Sequence, residues 1–304
     1  MVAAALLSVG APPAARAANI FWDTDGNAST ATGGSGLWTT TGNANWFNAG
    51  SSTMVAGNDV TTDHAFTAND IAYFTGTGAD VSLGDDITLG GLVFTGVTFA
   101  SRNDYLISSS TANKLTLAAP AGQTAPSLRV DLGARVTIDS QLAGTSGLVK
   151  TGNGTLVLTN VTNTLDGGIF IKSGALVVTS AAQLGLGIRP IAVTGVANTG
   201  NPGFSGGSLV VQAADLINGI TFDRVISASG RGPGAFNASG TLISVGNNTF
   251  TGTVGLGSAI GESRFTSVAG VTTLAGDVHL GAGNVSLFYG NGNTIISGKI
   301  NNHD

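Results

Sequence analysis

Apolar and polar residues alternate along this chain in runs of only three or four positions, and turn residues close each run. The pattern is clearest over residues 147–178, GLVKTGNGTLVLTNVTNTLDGGIFIKSGALVV. Leu156 and Leu158 face one way while Thr155, Val157 and Thr159 face the other, and Ile169 with Ile171, then Leu176 with Val178, repeat the alternation. A period of two is the period of a strand, and no helix-length apolar period occurs in the segment. Strands this short cannot bury a face alone, so they need neighbours stacked above and below. The segment therefore predicts a coil of a stacked β architecture.

Comparable runs recur on both sides. Ile71–Phe74, 81–83, Ile87–Leu89, 92–94, 105–107 and 115–117 follow a Gly/Thr/Asn-rich opening that carries Trp22, Trp38 and Trp46. Their close, irregular spacing suits the short strands of a solenoid. Pro120 and Pro126 interrupt the pattern, 128–130 and 136–138 resume it, 181–187 predicts a brief helical turn or corner, and 198–207 is a Gly/Pro-rich loop. A looser second repeat is expected at 234–256, where Asn247-Asn248-Thr249-Phe250-Thr251-Gly252 parallels Asn163-Thr164-Leu165-Asp166-Gly167. The expected fold is all-β, a right-handed parallel β-helix or related β-solenoid with a Trp-containing N-terminal cap. At about 25 residues per coil and ~4.8 Å per rung it forms on the order of eleven coils, a rod of roughly 50 Å. Asn163 and Asn248 at equivalent corners are expected to stack as an amide ladder.

Residues 147–178 also carry Gly147, Leu148, Lys150, Thr151, Gly152, Gly154, Thr155, Leu156, Leu158, Asn163, Gly167, Gly168, Ile171, Gly174 and Leu176 at the spacing of a known motif. The stretch resembles the autotransporter-associated β-strand repeat (passenger-associated transport repeat) of bacterial autotransporter passengers, departing from it at Leu165 and Phe170. The opening unit is similar to the N-terminal region of such proteins through Trp38 and Asn43-Ala44-Asn45-Trp46. The resemblance implies an exported, non-catalytic surface passenger of a Gram-negative bacterium, an adhesin-like stalk. Its repeat would support secretion and folding, its partner would be an outer-membrane translocation barrel outside this chain, and a host surface or glycan would be its ligand. Expected organisation is a clipped signal peptide at 1–17, cap and first coils at 18–117, and passenger β-helix at 118–304, with the chain stopping in mid-pattern.

Composition narrows the chemistry. The 47 glycines and 10% charged residues depart from an average globular chain, which holds about 25% charged residues, yet 42% hydrophobic residues supply surface to bury. Net charge is −5 without any Lys/Arg run, which excludes an electrostatic nucleic-acid footprint. Zero cysteine excludes a disulfide framework and a thiolate zinc site. The small-residue stretch Ala15-Arg16-Ala17-Ala18 after a short apolar run fits a signal-peptidase site.

No catalytic, cofactor or metal site is expected. His64, His279 and His303 lack metal-pair spacing, and neither a phosphate loop nor a nucleophile elbow is present. The run 76–83 imitates a calcium nonapeptide imperfectly, and Asp59, Asp63 and Asp70 flank His64. A polysaccharide-active β-helix enzyme of lyase or hydrolase type is the rival reading. It needs carboxylates converging on a groove, and Asp85-Asp86 or Arg224, Arg231 and Arg264 with Asp223 and Glu262 are its candidates. Solvated turn charge is the plainer role for all of them. For the tryptophans the choice lies between an end cap and a platform for a sugar ring.

Overall fold

The computed structural model describes residues 19–24, 33–41, 45–48, 61–62, 66–96, 103–187, 189–195, 206–235, 238–257, 262–281 and 285–302. The expected signal segment, His64, His303, Asp59, Asp63 and most of the 198–207 loop lie outside them. Short alternating strands have nowhere to place their backbone N–H and C=O groups except on another strand. Here each pairs with the strands one coil before and one coil after it, in parallel. Leu148 lies beside Ile169 and Leu156 beside Leu176, so the pattern closes a coil about every twenty residues in this region.

Three walls result. The first is a thirteen-stranded sheet that includes Ile71–Phe74, Leu148–Thr151 and Ile169–Ile171; the second, ten-stranded, includes Thr155–Leu158 and Gly174–Val178. The third side consists of two four-stranded sheets, one ending with Thr164–Leu165 and the other beginning with Thr221–Phe222. The parallel β-helix expected from the alternation is the fold found. Thirteen strands less two antiparallel ones at the first end leave eleven rungs in the first sheet. At ~4.8 Å each they span roughly 50 Å.

The interior is built as columns of stacked side chains. One runs Tyr105, Val136, Leu156, Leu176, Leu209, Leu242, Phe265, one residue per rung. Another runs Ile20, Ala72, Leu92, Leu128, Lys150, Ile171, Val193, Ala228, aliphatic but for its single lysine. Each column residue packs on the residue above and below, so burial accrues per rung. A second apolar cluster, Val157, Ala175, Val177, Val210 and Ile243, lies on the outer side of the second sheet and is also buried. Nearby, the crossover after Ile226–Ser229 forms a small antiparallel hairpin, Gly234–Ala235 with Ala238–Ser239. The expected second repeat at 234–256 thus begins in a hairpin, and only its later part lies on the coil.

At the first end the ladder reverses. Trp46–Asn48 runs antiparallel to Asn19–Trp22, and Thr61–Thr62 antiparallel to Trp46–Asn48. Trp22, Trp38 and Trp46 are each 0% exposed and meet Phe66 and Phe74 edge-on or tilted, at centroid distances of 4.8–5.9 Å. Rings with no exposed face close the core as a plug and offer no platform to a sugar. The Trp22 indole donates to Gly34 O at 2.8 Å, while the Trp38 and Trp46 indole N–H groups are buried without an acceptor among the described residues.

Because stability in a solenoid is shared between neighbours, the plug should protect the rungs beside it. Trp46→Ala is expected to cost about 3–5 kcal/mol. Hydrogen exchange should show protection lost over 71–94 while 148–178 keeps its protection.

Candidate functional site

The repeat residues occupy one full coil and most of the next. Leu156, Leu158, Ile171 and Leu176 are inward-facing and fully buried. Gly152, Gly154 and Gly174 lie at the corner between the first and second sheets; Gly147, Gly167 and Gly168 lie at the corner between the third side and the first sheet. The glycines are dictated by approach between rungs. A Cβ on Gly174, which has φ +69°, would sit 2.3 Å from Gly154 O and 2.4 Å from Gly152 O, and one on Gly167 would sit 1.9 Å from Gly147 N. No side chain fits at either.

Lys150 is the charged member of an aliphatic column. Alternation in Leu148–Thr151 points it inward, between Leu128 and Ile171, and it is 0% exposed. Its ammonium donates to Thr151 O at 2.8 Å, Gly152 O at 2.8 Å and Ser173 O at 3.0 Å. Three donors meet three carbonyls. Two belong to the turn of its own coil and one to the equivalent turn of the next, so the side chain clasps consecutive corners. Burial pushes its pKa down to about 7, against a smaller upward pull from Asp131.

Asn163 does the corresponding work at the entry to the third side. Its carbonyl oxygen accepts from Leu142 N at 2.7 Å and its amide donates to Gln183 O at 2.7 Å, which joins three successive rungs. Gln183 in turn accepts from Thr179 N at 2.7 Å and donates to Thr159 O at 3.1 Å. Asn248 accepts from Ile220 N at 3.2 Å and donates to Ser244 Oγ at 2.9 Å. The two asparagines share a role, yet no continuous amide ladder joins them. Gln183 and the 213–220 turn stand in the rungs between.

Between those rungs the third side breaks. Residues 181–187 were expected to make a turn or corner, and Ala181–Leu184 is a 3₁₀ turn with a Ser180–Gln183 capping box. A 3₁₀ turn offers no ladder edge, so the coil above cannot pair with it. Arg224 fills the gap: its guanidinium donates to Leu184 O at 3.3 Å, Gly185 O at 3.4 Å and Arg189 O at 3.1 Å. Outside it opens a cleft of about 480 Å³ lined by Ala181, Ala182, Gly185, Leu186, Gly187, Thr221, Asp223, Arg224 and Val225. The alternation pattern gave no sign of this bridge, because an arginine beside an aspartate looks like any turn charge.

The groups considered for catalysis do not converge. Asp85 accepts from Thr40 N at 2.8 Å and Thr40 Oγ1 at 2.9 Å, hydrogen bonds that hold its carboxyl below the usual range. Asp86 accepts from Lys114 N at 3.0 Å, and Asp70 from Thr67 N at 2.7 Å. Arg264 lies over the Tyr289 ring at 5.1 Å. Arg231 sits at the corner between the first and second sheets, away from Arg224, and the Glu262 side chain is outside the described residues. Among the described residues no three His, Asp or Glu side chains gather as metal ligands, and no helix is long and apolar enough to cross a membrane.

Residues 148–178 match the passenger-associated-transport-repeat family. Over 295 residues the chain is 34% identical to the adhesin BmaC autotransporter of Brucella suis biovar 1 (strain 1330), covering 94% of this chain and 8% of that relative. No solved structure matches the chain.

Lys150 carries a pH signature. Its folded-state pKa of about 7 lies below the ordinary 10.5, so between these values the unfolded chain binds a proton that the folded chain has released. Stability from this residue therefore rises with pH across that window and is flat below it. Denaturant midpoints at pH 7 and pH 10 should show wild type gaining on Lys150→Met by a few kcal/mol at most. Asn163→Ala leaves Leu142 N–H and Gln183 C=O without partners and is expected to cost about 2–4 kcal/mol in the same measurement.

Proposed function

We propose that this chain, a passenger-associated-transport-repeat protein, is a length of non-catalytic, adhesin-like passenger displayed on the surface of a Gram-negative bacterium. The observation that carries this reading is the unbroken parallel ladder of the first sheet, which passes through the repeat without a change of register partner. Such a column folds by addition. A coil emerging from a membrane unfolded finds the edge of the last coil waiting, and it is stable only once paired there. In this reading the repeat is the segment that makes addition dependable. Lys150 and Asn163 each bond across rungs, so a coil docked out of register leaves buried donors and acceptors unpaired. The outer-membrane translocation barrel that delivers the chain is the expected partner. Similarity to a protein named an adhesin and an autotransporter supports the adhesive role, with a host surface as target.

Two measurements check this. In the full-length protein, Gly174→Val is expected to reduce surface display several-fold, while Arg264→Ala leaves it at the wild-type level. Equal display for Gly174→Val and wild type would remove the secretion role. Beads coated with the purified chain are expected to adhere to host cells above uncoated beads.

A further inference from the structure

The break in the third side is more than an irregularity, because it leaves a cleft in the wall beside the buried guanidinium of Arg224. Thr221–Phe222 is the terminal strand of its sheet, and it presents Thr221, Asp223 and Val225 outward in alternation. Across the cleft stand Leu186, 74% exposed, and the exposed Ala182. Behind them Arg224 is more than nine-tenths buried, at 8% exposed, and its Nε has no hydrogen-bond partner among the described residues. We propose that this cleft is a binding subsite for a neutral sugar ring, a proposal that rests on the adhesin reading above and gives it a location.

The chemistry of the lining selects the ligand class. A carboxylate at the mouth repels anions, and a guanidinium behind it disfavours cations. A hydroxyl satisfies both, since it donates to Asp223 and accepts from Thr221. The aliphatic walls of Leu186, Val225 and Ala182 suit the C–H face of a pyranose. A volume of about 480 Å³ falls in the range of small-ligand sites. An added peptide strand fits poorly, because the edge that Thr221–Phe222 offers is two residues long and Arg224 already occupies the space beside it.

The purified chain is titrated by saturation-transfer NMR with neutral mono- and disaccharides, and on an array of neutral, sialylated and sulfated glycans. Neutral ligands are expected to bind. Asp223→Asn and Leu186→Arg should each weaken them about tenfold or more, and Arg129→Ala on the outer face of the first sheet should not. Both cleft side chains are exposed, so circular dichroism and melting should be unchanged in the variants. No response to neutral sugars, a response confined to acidic glycans or to peptides, or one unaltered by both variants overturns the proposal. Bead adhesion that survives Asp223→Asn overturns the cleft as the adhesive site and leaves the adhesin reading intact. A neutral-sugar response in a chain whose beads do not adhere supports the cleft and removes that reading.

Discussion

Everything in this molecule depends on the hydrogen bonding of one coil to the next. A strand of three or four residues carries too little apolar surface and too many backbone groups to persist alone, and the parallel ladder satisfies the second need while stacking satisfies the first. The two are inseparable here, because the same register that aligns backbone groups also aligns Leu156 with Leu176 and Leu128 with Lys150. Once register is fixed, a column of side chains follows. The many glycines are the geometric cost of winding so tightly, where carbonyls of one rung approach the backbone of the next.

The polar groups taken inside are the ones that keep this register honest. Lys150, Asn163 and Gln183 are buried, yet each bonds to backbone groups of adjacent rungs rather than to another side-chain charge. A leucine at position 150 would pack as well in any register that keeps it inward. The ammonium finds its three carbonyls only in one. Arg224 extends the principle to the place where the ladder itself fails, substituting side-chain donors for the missing strand edge.

Much of the fold was legible because period two survives translation into three dimensions. Ile71–Phe74 and Ile87–Leu89 stand where the alternation placed them, and the 181–187 corner contains the 3₁₀ turn. What escaped was contact between residues far apart in sequence. Arg224 bonds to carbonyls some forty positions earlier, and the reversal of strands at the tryptophan end depends on pairing across segments with no alternation of their own. The tryptophans were visible as aromatic mass near one end, but only their mutual packing decided between a plug and a platform. The asparagine corners bond across rungs, while the ladder expected from them is interrupted by Gln183 and the 213–220 turn.

The orientation of the strands has a mechanical side. They lie across the long axis, so tension applied end to end pulls adjacent coils apart one interface at a time rather than shearing many interfaces together. A tether of this kind yields by peeling, coil after coil, and each released coil lengthens the chain while its neighbours hold. When the load drops, the intact remainder is still a template for rewinding. In the stalk role proposed above, such a column would act as a spring that gives under load and recovers, with the first slack expected where the third side is bridged by Arg224 instead of a sheet.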